Sequence, residues 1–249
     1  MEKIKVMSFN VRCGELTESR IARVAQAVKN EMPDVLGIQE GHLPICEGIL
    51  NAVGGEYEMH GVGRDGSPGD ENSNVFYRKS VFNCIEAGTK WLSDTPDFRS
   101  EHPKSAYPRI FSYQLLERKS DGQKFLHIST HLDYTCDEVK VYQAERLVKW
   151  IENRVGNSVP VAIVGDFNAR EKSPAYNVFI DAGYEATNSY GESKRTFNGY
   201  RDDMTRGGVI DFCFVNKKCK VLSYRVCDEK LNGEWISDHN AIISEIEPK

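Results

Sequence analysis

Asn10, Glu40, His131, Asp166, Asn168, Asp211 and the pair Asp238-His239 each stand just past an apolar run. Strand ends are where a rigid scaffold offers side chains to a common cleft. Singly, each has an ordinary explanation: Asx residues make turns, a lone carboxylate caps a helix, a lone histidine packs in a core. Together they hold the parts for phosphate-ester hydrolysis. A hard cation such as Mg²⁺ takes one or two carboxylates and keeps several waters. It polarises the phosphoryl group and steadies developing charge. A base that activates water should titrate near neutrality, which favours histidine. That histidine is best oriented by a carboxylate on its far nitrogen. Amide groups can donate to phosphate oxygens.

The elements that must carry these groups follow from periodicity. "IKVMSF" alternates and reads as a strand. "TESRIARVAQAVKNEMP" sets Ile21, Val24, Ala25 and Val28 on one helical face, with Thr17 or Ser19 as cap and Pro33 as the stop. "DVLGIQE" is a short buried strand ending in Glu40. Residues 54–74 are rich in Gly, Asp and Asn and are expected to be loop. They contain Gly61-x-Gly63-x-x-Gly66, but Ser67-Pro68-Gly69 follows where a dinucleotide site would open a helix. Strands are expected at "NVFYRKSVF", "IFSYQLLER" and "KFLHISTHLD". A helix follows with Val141, Ala144, Val148, Ile151 and Val155 on one stripe. The strand "VPVAIVGDF" comes next, and Gly165 is expected to let the chain turn so that Asp166 and Asn168 project into a cleft. A short helix starts at Ser173-Pro174 and stops before Gly183. The tail gives strands near "GVIDFCFV", "KVLSYRV" and "AIISEIE". The mixture predicts a layered α/β fold with mixed sheets. The phrase Phe-Asn-x-Arg recurs at residues 9–12 and 167–170, which hints at two similar halves, one per sheet.

Bulk properties narrow the partners. With 249 residues, 40% hydrophobic and 28% charged, the chain has the composition of a globular protein with a sizeable core. A net charge of −5 argues against broad, non-specific nucleic-acid binding. The seven cysteines are scattered without C-x-x-C spacing, so no zinc site is signalled and free thiols are expected. No run approaches a membrane span, and a cytoplasmic monomer is expected. His127 lies four before His131, but no Glu follows it and the segment is a strand, so a zinc motif is not expected. His127 is read as structural or as lining the cleft edge. His42, His60 and His102 read as surface residues.

"SFNVR", "IQE", "STHLD", "GDFN", "IDFCFV" and "SDH", in that order, resemble the endonuclease/exonuclease/phosphatase superfamily. No single motif decides this; the order of all of them over residues 6–240 does. The resemblance implies one domain over 1–249, a four-layer α/β sandwich of the deoxyribonuclease I kind, and a divalent-metal-dependent phosphoesterase using Mg²⁺ or Mn²⁺. Residue by residue, it implies Glu40 as principal metal carboxylate, with Asn10 beside it and Asp238 as a further metal-side carboxylate. His239 resembles the general base, oriented by Asp211. Asp166 and Asn168 resemble groups that position the attacking water and the phosphoryl oxygen. His131 resembles a second histidine that stabilises the phosphate or protonates the leaving group. Glu71 stands where deoxyribonuclease I pairs a glutamate with that histidine. Arg109 resembles a phosphate-contacting arginine.

Departures bear on substrate. Arg12 is as in deoxyribonuclease I-like chains rather than abasic-site endonucleases. "QEGHLP" lacks the arginine by which deoxyribonuclease I enters the minor groove. With an acidic chain, nucleic acid is therefore not the favoured substrate. A phosphodiester is the leading expectation, and a monoester of a sugar, inositol or nucleotide the alternative. A catalytically silent binding module is disfavoured, since every catalytic position carries a reactive residue type. Trp91, Tyr107, Tyr134, Tyr200 and Trp235 lie near the expected cleft mouth, with ordinary packing the default for each.

Overall fold

The structure is a computed structural model describing residues 2–192, 194–203 and 207–249. Its strands are β1 (Ile4–Asn10), β2 (Val35–Gln39), β3 (Tyr57–His60), β4 (Val75–Arg78), β5 (Phe82–Trp91), β6 (Ile110–Arg118), β7 (Lys124–His131), β8 (Val161–Asp166), β9 (Tyr184–Ala186), β10 (Asp211–Asn216), β11 (Cys219–Cys227) and β12 (Ala241–Pro248). The helices are α1 (Glu18–Glu31), α2 (Leu43–Ala52), α3 (Asp137–Arg154) and α4 (Pro174–Asp181).

Two six-stranded mixed sheets form, in the orders β11-β12-β1-β2-β4-β3 and β5-β6-β7-β8-β10-β9. In each, one parallel pair (β1 with β2, β7 with β8) sits among antiparallel neighbours. The connection inside each parallel pair is a helix, α1 or α3, as a parallel crossover requires. The sheets pack face to face through Val6, Val35, Phe125, Ala162, Val164 and Val215. α1 and α2 cover the outer face of the first sheet through Val24, Val28, Ile45 and Ile49. α3 and α4 cover the second through Ala144, Leu147, Ile151 and Phe179. This is the four-layer sandwich expected.

The two halves are real, but the Phe-Asn phrase does not mark them. Strand order and direction equate β1 with β7 and β2 with β8, whereas the phrase ends β1 and β8. α1 stops ahead of Pro33, as the sequence predicts, with Met32 in left-handed backbone (φ 42°) capping it by an N–H bond to Val28 O. Other expectations need correction. Residues 54–74 are not all loop, since β3 lies within them. "NVFYRKSVF" is not one strand but β4, the turn that follows it and the first residue of β5. On α3 the buried face includes Val139 and Leu147, while Val141 and Val155 are only partly buried. Gly165 makes no turn. A Cβ there would lie 2.1 Å from Thr130 O, so glycine serves the close approach of β8 to β7. Thr17 caps α1 and Ser173 caps α4, as the sequence predicts. All seven cysteines are free. No helix among the described residues is long and apolar enough to cross a membrane.

Candidate active site

The C-terminal ends of β1, β2, β7 and β8 meet at one edge of the sandwich. Asn10 joins the two sheets there. Its Nδ2 donates to Glu40 Oε1 at 2.9 Å and to Asp166 Oδ2 at 3.0 Å. The other Glu40 oxygen accepts from Cys13 N–H at 2.9 Å. Glu40 and Asn168, just beyond β2 and β8, both adopt left-handed backbone, φ 55° and 47°. Asparagine tolerates this readily; for glutamate it is unusual, and such strain concentrates at functional positions.

His239 precedes β12 and crosses to the second sheet. Its Nδ1 lies 2.9 Å from Asp211 Oδ2, and its Nε2 lies 3.6 Å from Asp166 Oδ2. Phe197 packs on the imidazole at 5.0 Å between ring centroids. His131 Nε2 lies 3.4 Å from the same Asp166 oxygen and accepts from Asn168 Nδ2 at 3.0 Å. Its Nδ1 faces Glu71 Oε1 at 3.7 Å. Glu71 also meets Arg64 Nη1 at 2.9 Å and Arg109 Nη1 at 3.5 Å. Arg109 Nε lies 3.5 Å from the fully buried Asp133.

One open cleft is lined by Glu40, Glu71, Arg109, His131, Asp166, Asn168, Asp238 and His239. Asn10 and Asp211 stand behind this lining. The structure therefore brings together every residue assigned from the sequence to catalysis, phosphate contact or metal. It adds Cys13, Arg64, Phe197 and Ile210 to the cleft wall. Of the aromatics named for the cleft mouth, Tyr107 and Tyr134 line the cleft. Tyr200 lies under Arg12, 4.9 Å from ring centroid to guanidinium, and Arg12 in turn reaches Asp238 at 3.9 Å. Trp91 instead anchors the neighbouring loop, and Trp235 lines separate pockets beside α1. His127 is fully buried between the sheets and does not reach the cleft edge.

Electrostatics sort these groups. Burial opposes ionisation of Glu40, but the bonds it accepts from Asn10 Nδ2 and Cys13 N–H hold its carboxyl below the usual carboxylate range. Burial pushes Asp166 up to about 7, against the charge of His239 and with that of Asp211. Burial works against a charged His239, yet the Asp211 and Asp166 carboxylates raise it to about 10. Absent a cation, the Asp211 and Asp166 carboxylates thus favour the protonated form of His239. Burial and the Arg109 charge push His131 well below its ordinary value, so it stays neutral. Burial raises Glu71 and Asp238.

Groups of facing ligand atoms occur at Glu40–His131–Asp166, Asp166–Asp211–His239 and Cys13–Glu40–Glu71. The carboxylates of Glu40 and Asp238 suit a hard divalent cation, and Asn10, its oxygen accepting from Arg12 N–H at 2.9 Å, orients Glu40 through its amide nitrogen.

The sequence profile of the Endonuclease/Exonuclease/phosphatase family matches residues 7–239. An endonuclease/exonuclease/phosphatase of Bacteroides vulgatus superposes with a TM-score of 0.92 at 25% identity, covering 100% of both chains. A mannosyl-6-phosphatase of Bacteroides thetaiotaomicron superposes with 0.90 at 27% identity, covering 98% of this chain and 99% of that one. The CCR4-Not complex 3′-5′-exoribonuclease subunit Ccr4 of Yarrowia lipolytica is 26% identical over 177 residues, 57% of this chain. That match spans only 25% of the yeast protein's length. With the family profile covering nearly its whole length, this chain belongs to the endonuclease/exonuclease/phosphatase family.

Proposed function

We propose that the chain is a divalent-metal-dependent phosphoesterase in which His239, held by Asp211, activates the attacking water. The observation that carries this is the His239–Asp211 bond of 2.9 Å, with the other imidazole nitrogen beside Asp166 at the cleft floor. Charge supports a cation. Glu40, Glu71, Asp166 and Asp238 face the cleft beside Arg64, Arg109 and His239, and a cation among these carboxylates would offset their charge toward a phosphate. Glu40 and Asp238 would hold the ion, with Asn10 orienting Glu40. When bound, a divalent cation polarises the phosphoryl oxygen and offsets carboxylate charge.

The residues of the chain do the rest. Asp211 fixes the His239 tautomer so that Nε2 faces the water. The water oxygen bonds to phosphorus, the bond from phosphorus to the alcohol oxygen breaks, and the water proton passes to His239. The departing alkoxide takes a proton from solvent, leaving an alcohol and a phosphate. Asn168 spends both amide hydrogens, on His131 Nε2 and on the Leu132 carbonyl, each at 3.0 Å, and so fixes the position of His131 at the cleft wall. Neutral His131 and Glu71 keep that amide and the Arg109 guanidinium in place. Raised as it is, His239 must lose its proton before it acts as base, so the nearby carboxylates have to be offset first.

A phosphodiester is the expectation from sequence. The full-length likeness to a mannosyl-6-phosphatase favours the second reading, a phosphomonoester, and we place that first. The test is hydrolysis of p-nitrophenyl phosphate and bis(p-nitrophenyl) phosphate with Mg²⁺, Mn²⁺ or EDTA. Turnover should need the metal, favour the monoester and fall about 10²–10⁴-fold in His239→Ala. Unchanged turnover in that variant would overturn the mechanism, and preference for the diester would restore the first reading.

A further inference from the structure

Two half-exposed tyrosines stand at the cleft mouth, Tyr107 at 41% and Tyr134 at 58%. Their ring centroids are 6.5 Å apart at 55°. Neither ring is loose on the surface. The buried Asp133 accepts from Ser105 Oγ at 3.0 Å and from Ala106 N–H at 3.1 Å, which fixes the Tyr107 segment. The same carboxylate accepts from Thr135 N–H at 2.9 Å, which fixes the Tyr134 segment. Arg64 lays its guanidinium over the Tyr107 ring at 4.1 Å, and Trp91 Nε1 holds the Arg64 carbonyl at 2.8 Å. A single buried carboxylate thus organises two aromatic rings whose open surface faces solvent and the cleft. Core packing does not require that arrangement; a ligand does.

Strand order says which part of a substrate meets this wall. β8 carries Asp166, with β10 and the Asp211–His239 pair on one side and β7 with His131 on the other. Tyr134 follows β7 and Tyr107 precedes β6, both on the His131 side. Attack in line from the His239 side expels the alcohol toward the tyrosines. We propose that Tyr107 and Tyr134 form the leaving-group subsite and that they receive a sugar ring, making hexose phosphates the substrate class. This rests on the phosphoesterase reading above.

The shape selects a sugar over a nucleobase. Arg64 lies over the Tyr107 ring at 4.1 Å with Arg109 at 5.6 Å, and Tyr134 is tilted by 55° from it, so the pair makes a corner rather than a flat slot. Stacked bases want flat π-faces. A pyranose sets its C–H face on one ring and its hydroxyls on the polar rim. That rim is supplied by the Arg64–Asp70 and Arg64–Glu71 pairs, at 3.6 and 2.9 Å. A polynucleotide would need free cations along its backbone, whereas Arg64 and Arg109 are engaged by Glu71 and Asp133. Hydrolysis here would release the free hexose and inorganic phosphate.

The test compares kcat/KM for D-mannose 6-phosphate, D-glucose 6-phosphate, glycerol 3-phosphate and adenosine 5′-monophosphate, with Mg²⁺, in wild type and Tyr107→Ala/Tyr134→Ala. The wild type should prefer the hexose phosphates. The double variant should lower the hexose-to-glycerol ratio at least tenfold, chiefly through KM. An unchanged ratio, or a wild-type preference for the nucleotide, overturns the assignment. If neither these nor the two p-nitrophenyl esters are turned over, the phosphoesterase reading fails by itself. Calorimetric titration with mannose 6-phosphate and Mg²⁺ then decides the subsite. Tighter binding to wild type than to the double variant sustains it, and equal or undetectable binding to both overturns it.

Discussion

Replacing His127 with phenylalanine should remove a large part of the protein's sensitivity to acid. His127 lies on β7 between the sheets, fully buried, with neither ring nitrogen hydrogen-bonded. Its cross-strand neighbour Gln114 spends its amide N–H on Val75 O at 2.8 Å and leaves its own oxygen unpaired. No acceptor stabilises an imidazolium there, and burial pushes the pKa down to about 3. The unfolded chain takes up the proton near 6.5 and the folded chain does not, so stability rises with pH between about 3 and 6.5. At ~1.4 kcal/mol per pH unit, the ceiling is about 5 kcal/mol, reached near pH 3. Between pH 7 and pH 5 the wild type should lose about 2 kcal/mol through this residue alone. Urea unfolding of wild type and His127→Phe across that range measures it. Any fixed packing difference cancels in the comparison, and the variant should gain about 2 kcal/mol on the wild type by pH 5. Parallel stability curves would refute the reasoning.

In metal-free protein, the His239 imidazole should titrate near 10 by NMR, and Asp211→Asn should bring it down by more than one pH unit. Equal titration in both would show that Asp211 does not hold the proton. Glu40→Gln should weaken Mg²⁺ binding at least tenfold by calorimetry, and an unaltered affinity would remove Glu40 from the metal set. Gly165→Ala should destabilise the fold by about 1–3 kcal/mol in urea unfolding, because the new methyl meets Thr130 O in the sheet. A neutral effect would mean that β7 and β8 can separate without cost.

What was legible in the sequence follows from what each residue signals locally. β1, α1, β7 and β8 were readable because apolar periodicity is their own property. α2 was missed because Pro44 and Gly48 make "LPICEGILNA" look like loop. The reason for Gly48 is tertiary, since a Cβ there would lie 2.4 Å from Ile21 Cγ2 on α1. β3 was hidden in Gly-rich surroundings because a four-residue edge strand leaves little pattern. The site residues were found because reactive types at strand ends, in a familiar order, are visible one by one. Arg64 and Asp133 were not. An arginine in a Gly-rich loop and an aspartate after a strand are ordinary, and only the Trp91 bond and the buried carboxylate's several partners make them matter.

The internal repeat explains why the site needs both halves. The equivalence of β1 with β7 sets Asn10 opposite His131, and that of β2 with β8 sets Glu40 opposite Asp166 and Asn168. β12 and β6 are equivalent too, and His239 and Arg109 stand just before them. So are β4 and β10, with Glu71 just before one and Asp211 first on the other. Four pairs of equivalent strand ends therefore contribute, with different residues. The first sheet brings the carboxylates Glu40 and Asp238, and the second brings Asp166, Asn168 and Asp211. The exchanges across the gap are what join them. Asn10 of the first sheet bonds Asp166 of the second, and His239 from the first bonds Asp211 of the second. Two sheets of matching strand order offer matching positions, and on the phosphoesterase reading proposed above the first would hold the cation while the second would direct water and proton.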